Sequence, residues 1–190
     1  MGQIILVTGG TRSGKSQFAE SLCLAQPGPH YYLATCPRIP GDPDLDARIL
    51  AHQDRRTGQG WITLEEPLHL ENALETIQTQ KGSVLLECLG LWISNLIFAG
   101  IPDRLHAESD LKKRVTQLCN TWRTHPGTLV VVAQEAGLGI LPAERETRLW
   151  LDLLGSARNQ FAMLADSVWL VASGIPLSLK GNPNDSSNDP

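Results

Sequence analysis

The sequence contains no uninterrupted apolar run near the roughly 18 residues that a membrane-spanning helix needs. Its first residues pass from Met1 straight into a strand-like segment, without the basic stretch and apolar core of a secretory leader. Charge is also in short supply. Charged residues make up 19% and the formal net charge is −4, so nothing in the bulk electrostatics points to a nucleic-acid partner, which usually calls for a basic stripe. Cysteine is scarce as well: Cys23, Cys36, Cys88 and Cys119 lie far apart and form no CxxC or Cys/His spacing. Neither a zinc site nor a disulfide framework is therefore expected. No segment repeats. These absences point to a soluble chain in a reducing compartment, the cytoplasm in a bacterium, where any anionic ligand must be met by local groups.

The 190 residues, 42% of them hydrophobic, suffice for an ordinary globular core. Apolar runs alternate with helix-length amphipathic segments, the pattern of an α/β protein with a largely parallel sheet. Strands are predicted over 3–8, 30–34, 61–64, 83–88, 128–133 and 167–171, with an edge strand over 175–179. The run at 128–133 is the richest in β-branched residues and is expected at the sheet centre. Helices are predicted over 15–25, 44–56, 89–98, 110–122 and 144–164, with Gly100 to Pro102 ending the third. Leu111, Val115, Leu118 and Trp122 share one face of the fourth. A single catalytic domain over 1–180 is expected, followed by a disordered tail over 181–190 built only of Asn, Asp, Ser, Pro and Gly.

Gly9-Gly10-Thr11-Arg12-Ser13-Gly14-Lys15-Ser16 matches G-x-x-x-x-G-K-[ST] between the first strand and the first helix. That context suits a phosphate cradle. Glycines let the backbone curl so that successive N–H groups point at phosphate oxygens, and the helix N-terminus adds its dipole. Lys15 would reach the β- and γ-phosphates, and the Ser16 hydroxyl would ligate Mg²⁺. Many reactions use such a loop, so it does not name one.

A second signal lies at His52, within a helical segment that also carries Arg48, Arg55 and Arg56. A histidine on such a face is more often structural. Nearby arginines, however, favour the neutral, nucleophilic imidazole and can hold a polyphosphate. Such a residue could attack an α-phosphate and carry a nucleotidyl group.

Together these features resemble one family. Ile5 to Gly10 running into Arg12 to Ser16, Tyr32-Leu33-Ala34-Thr35, Ala47-Arg48-Ile49, His52, Trp61 to Glu65, Leu85 to Cys88, Ser94-Asn95-Leu96, Glu135 to Pro142, Asn159-Gln160, Ala165-Asp166 and Val168 to Val171 follow the order of the bifunctional adenosylcobinamide kinase / adenosylcobinamide-phosphate guanylyltransferases. The resemblance covers the chain to about residue 180. It implies a P-loop, RecA-like sheet and a homotrimer, for which the sequence itself offers Leu91, Trp92 and Ile97 as apolar residues on a helix-rich surface. Two reactions are implied: phosphorylation of the aminopropanol hydroxyl of adenosylcobinamide by ATP or GTP, then transfer of GMP from GTP to that phosphate through a guanylyl-histidine.

His52 falls at the guanylylated position. Some relatives carry two adjacent histidines there, and Ala51 removes one of them. Glu65 resembles a nucleotide contact of the family, and Ala34, Thr35, Cys36, Gln53, Asp54, Arg55 and Glu87 are further candidate nucleotide contacts, the last an acid for a Mg²⁺ site. Strand-end position suits Glu87 and the 34–36 turn to a ligand crevice, although strand-end and loop acids are also common without ligands. Two readings remain open at this level: another P-loop small-molecule kinase with a structural His52, and a non-catalytic nucleotide-binding module.

Overall fold

The computed structural model describes residues 1–37, 41, 43–77, 82–100 and 104–181, with positions 44–46, 48, 52, 55, 104 and 105 described by their backbone alone. Seven strands form one sheet: β1 (Gln3–Gly9), β2 (His30–Ala34), β3 (Trp61–Glu65), β4 (Ser83–Glu87), β5 (Thr128–Gln134), β6 (Ser167–Ala172) and β7 (Ile175–Lys180), in the spatial order β3-β2-β4-β5-β1-β6-β7. β1 to β6 pair in parallel, and β7 closes one edge antiparallel to β6. The β-branched run of β5 occupies the centre, as expected. Among the described residues the helices are α1 (Lys15–Leu24), α2 (Pro43–Arg56), α3 (Leu70–Thr76), α4 (Leu89–Phe98), α5 (Arg104–Arg123) and α6 (Arg145–Leu164). The result is a mostly parallel sheet flanked by helices, with the glycine-rich turn of residues 9–16 between its β1 and α1.

Strand alternation divides the core unequally. Ile4, Leu6, Leu33, Val84, Leu86, Leu129 and Val131 point to one face, where α3, α4, α5 and α6 supply Leu74, Trp92, Leu111, Trp122 and Phe161. Ile5, Val7, Tyr32, Leu85, Val130 and Val132 point to the other, where the buried helical partners are Ala19 and Cys23 of α1. Both faces are apolar because parallel strands bury both. The predicted α5 face, Leu111, Val115, Leu118 and Trp122, is buried as a stripe.

Three expectations change. No element is predicted between residues 64 and 83, yet α3 forms there, nucleated by Glu66, whose carboxylate accepts the N–H groups of Leu68 and His69 at 2.9 Å each. α5 begins six residues before the predicted Asp110, because its first turns are largely polar and hide the period. Trp92 is not a surface residue: it is 0% exposed, and its indole N–H donates to the Leu68 carbonyl at 3.1 Å. Of its two companions, Leu91 is partly exposed and Ile97 packs against the core. The expected tail, from residue 182 onward, and Pro102 lie outside the described residues.

Candidate active site

Parallel strands end on one edge of the sheet, so the turns after β1, β2, β4 and β5 gather there. The turn after β1 is tight. A Cβ on Gly9 would lie 2.5 Å from both the Ser13 hydroxyl and the Val171 carbonyl oxygen, so only glycine fits. Gly14 takes φ 92° and leads into α1 without a side-chain cap. The first-turn N–H groups of α1 thus have no side chain competing for them, the condition for an anion at a helix N-terminus. Ser13 N–H donates to the Gly10 carbonyl at 3.2 Å, and Gly174 N–H donates to the Ser13 carbonyl at 2.8 Å. Thr11 and Arg12 are exposed on the rim. Lys15 Nζ donates to the Gly10 carbonyl at 3.2 Å, which holds its charge over the loop.

Glu87 links this loop to the neighbouring strand. Its Oε1 accepts from the Ser16 hydroxyl, and its Oε2 accepts from the Tyr32 hydroxyl at 3.2 Å. Burial and then the nearby Glu87 charge push the Tyr32 phenol well above its ordinary pKa, so it remains a proton donor. In the sheet register Ala34 lies opposite both Glu65 and Glu87. The two acids therefore flank the end of β2, with Glu65 exposed.

Thr35, next along, is buried. Its hydroxyl donates to the Cys88 carbonyl at 2.9 Å and accepts from Cys88 N–H at 2.8 Å, and its own carbonyl accepts from Asn95 Nδ2 at 2.7 Å. Its side chain clips β2 to β4. Cys36 is half-buried, and its thiol is pushed up by burial and then by Glu65. Burial also pushes Cys88 up to about 11. Neither thiol is a ready nucleophile near neutral pH.

α2 carries His52, Gln53, Asp54 and Arg55 in its last turns. Gln53 is half-buried and Asp54 exposed, while the side chains of His52 and Arg55 lie outside the described residues. Arg56 differs from the reading that grouped it with phosphate-facing arginines. It is buried, and its guanidinium carbon sits 3.2 Å from the centroid of the Tyr32 ring. A planar cation can satisfy itself on an aromatic face in this way.

Tyr32 and Glu135 stand in motifs that the sequence reading names, but it assigns neither of them a contact. The first could have been found: strand period puts Tyr32 on the same face as Ala34. Glu135 follows β5, and its N–H donates to the Gly9 carbonyl at 2.9 Å. Its carboxylate takes Arg158 at 2.7 Å and the Thr8 hydroxyl at 3.2 Å. The loop it opens exposes Leu138, Ile140 and Leu141 from the same sheet edge.

Backbone donors, Lys15 and a helix N-terminus make a receptor for a polyphosphate. Ser16 and Glu87, oxygen donors in direct contact, suit a divalent ion completed by phosphate oxygens and water. Among the described residues no group of three or more His, Cys, Asp or Glu side chains could hold a metal on its own, so ligand oxygens would have to share it.

Residues 5–179 match the family model described as cobinamide kinase / cobinamide phosphate guanyltransferase. The chain is 34% identical over 178 residues to the bifunctional adenosylcobalamin biosynthesis protein CobP of Pseudomonas aeruginosa, covering 94% of this chain and 98% of that one. It is 35% identical over 184 residues to the bifunctional adenosylcobalamin biosynthesis protein CobU of Salmonella typhimurium, covering 93% and 99%. Among solved structures it is similar to the KaiC-like protein PH0186 of Pyrococcus horikoshii, at a TM-score of 0.49 and 14% identity, covering 88% of this chain and 70% of that chain.

Proposed function

The chain belongs to the cobinamide kinase / cobinamide phosphate guanyltransferase family, and on that premise we propose that one phosphate cradle, residues 9–16, serves both reactions. In the first, the γ-phosphoryl group of ATP or GTP passes to the aminopropanol hydroxyl of adenosylcobinamide. In the second, a His52 nitrogen attacks the α-phosphorus of GTP and the bond to pyrophosphate breaks. The phosphate of adenosylcobinamide phosphate then displaces His52 to give adenosylcobinamide-GDP. Residues 1–180 form the catalytic domain in this reading, and the enzyme works in the cytoplasm.

The observation that carries the proposal is the contact of Ser16 with Glu87 beside Lys15 and the uncapped start of α1. Phosphoryl and nucleotidyl transfer both depend on fixing and neutralising the polyphosphate. Ser16 and Glu87 would hold Mg²⁺, which supplies charge neutralisation at the phosphates. Ala34, Cys36 and Glu65 would border the nucleotide at the end of β2, with Thr35 holding that turn in place. Gln53, Asp54 and Arg55 would border it from α2. The raised thiol pKa values of Cys36 and Cys88 leave imidazole as the better nucleophile for a covalent step.

The working unit in this reading is a homotrimer. Ile175, Leu177 and Leu179 along the edge strand β7, with Met163 exposed at the end of α6, supply the apolar surface that self-association would cover.

Incubation with α-labelled GTP tests the nucleotidyl step. An acid-labile, alkali-stable label on the protein, lost when adenosylcobinamide phosphate is added, is the expected result. Turnover of adenosylcobinamide to its phosphate without any such label would make the chain a kinase alone.

A further inference from the structure

We propose that Arg56 is a positioning residue for guanylyl transfer, registering helix α2 against the Glu87–Ser16 side of the cradle through the ring of Tyr32. The inference rests on the assignment of His52 as guanylyl acceptor and goes beyond it, since it concerns what holds the acceptor helix in place.

Arg56 is the last residue of α2, one helical turn after His52. Its side chain is only 7% exposed, and its Nη1 is buried with no hydrogen-bond partner among the described residues. Its guanidinium carbon lies 3.2 Å from the centre of the Tyr32 ring. The ring is held edge-on by Trp61 at 6.3 Å, and its hydroxyl donates to Glu87 Oε2 at 3.2 Å. Glu87 in turn accepts from Ser16 at the start of α1. Arg56, Tyr32, Glu87 and Ser16 thus form an unbroken line of contacts from the end of α2 to the first turn of α1.

The chemistry of the line argues against mere packing. A Leu or Met would cover the Tyr32 ring without desolvating a charge or burying an unpaired N–H, both of which are costly. The guanidinium adds a flat, oriented contact with restricted freedom, together with attraction to the ring face. Its position therefore defines where α2 ends relative to β2 and, through the Tyr32 hydroxyl, relative to the acid beside the phosphate cradle. Covalent transfer is sensitive to such placement: a misplacement of about 1 Å can cost on the order of 10²-fold in rate. Phosphorylation of the alcohol uses no group on α2 as nucleophile and is far less exposed to it.

The test uses the full-length protein and three variants. Arg56→Met keeps the cover on the ring, Arg56→Lys keeps the charge without the plane, and Tyr32→Phe keeps the ring without the link to Glu87. For each, the single-turnover rate of label transfer from α-labelled GTP is measured at saturating GTP. GTP half-saturation, the kinase rate on adenosylcobinamide and the melting temperature are measured beside it. In Arg56→Met the expected result is a fall in label transfer on the order of 10²-fold, with half-saturation and kinase rate each within about threefold of the parent. Arg56→Lys recovers little of the loss, and Tyr32→Phe, which also removes a hydrogen bond from the shared acid Glu87, shows a smaller loss of label transfer that still exceeds any loss in the kinase rate.

Parent-like label transfer in Arg56→Met and Arg56→Lys would overturn the proposal. So would an equal fall in both activities accompanied by a lowered melting temperature, which marks a structural role alone. If Arg56→Met does not fold, Arg56→Lys decides the matter by the same two criteria. A parent protein that takes no label removes the His52 assignment, and this inference with it. Label in the parent and equally in the variants removes this inference alone.

Discussion

On the proposed mechanism, Lys15 and His52 divide the work between holding the nucleotide and attacking it. Lys15 is the mobile positive charge of the cradle and reaches over the loop to the Gly10 carbonyl. Both reactions need the polyphosphate fixed there, so Lys15→Ala should lower kinase and guanylyl-transfer rates together, each by about 10²-fold or more. Parallel assays of the two activities check this, and near-parental survival of either would refute a single shared cradle. His52→Ala should behave differently. GMP transfer should vanish while nucleotide affinity, measured by calorimetry, stays within about threefold, because backbone amides and Lys15 rather than the imidazole hold the phosphates. Phosphorylation of adenosylcobinamide should survive, since it needs no covalent enzyme intermediate. His52→Asn, which retains polarity without the nucleophile, should match the alanine variant.

Where secondary-structure elements meet, single carboxylates do much of the joining. Asp166, just before β6, accepts from Ile4 N–H of β1 at 2.7 Å and from Arg123 at the end of α5 at 2.7 Å. Burial alone would raise its pKa. Arg123 and the Ile4 amide outweigh that and hold the carboxyl below the usual range. Glu66 at the start of α3 shows the same balance, with the His69 and Leu68 amides overcoming burial. A depressed folded-state pKa means the unfolded chain binds protons first. Both groups therefore contribute their full stability above the ordinary carboxylate pKa and lose it as pH falls through the depressed value. Melting curves from pH 7 to pH 3 should show a steepening loss below about pH 4. Asp166→Asn should melt about 2–4 °C lower at neutral pH, an effect kept small by solvent screening, and should show a shallower acid limb. An acid limb identical to that of the parent would mean that Asp166 does not couple to stability.

For the molecule as a whole, the unequal helix cover and the bare edge strand matter most. One sheet face carries four helices, whereas α1 supplies the buried helical partners on the other, where Arg56 at the end of α2 stacks on Tyr32 of β2. At the far edge, β7 exposes Ile175, Leu177 and Leu179. Sedimentation at micromolar protein should give a species near three times 20.7 kDa, and Leu177→Asp should shift it toward the monomer. A species of 20.7 kDa alone would refute the assembly.

The amino-acid order by itself determined the sheet and the cradle. Unbroken β-branched runs can be satisfied only between parallel neighbours, and a GxxxxGKS turn between a strand and a helix leaves the backbone no other compact course. That is why β1 to β7, the central place of β5 and the turn at residues 9–16 were all legible before any coordinates. The order of short motifs along the chain was equally legible, and it carried the family. Tertiary structure alone decided which side chains meet. Tyr32 reaches Glu87 only because β2 lies beside β4, a neighbour 53 positions away in register with it. Arg56 stacks on Tyr32 only because α2 ends over that strand, and Trp92, apolar and helical like a surface candidate, is buried with its N–H on the Leu68 carbonyl in the turn before α3. The physical reason is the same in each case: local pattern sets backbone conformation and the face a residue occupies, whereas the partner waiting on that face comes from a distant part of the chain and is chosen by packing.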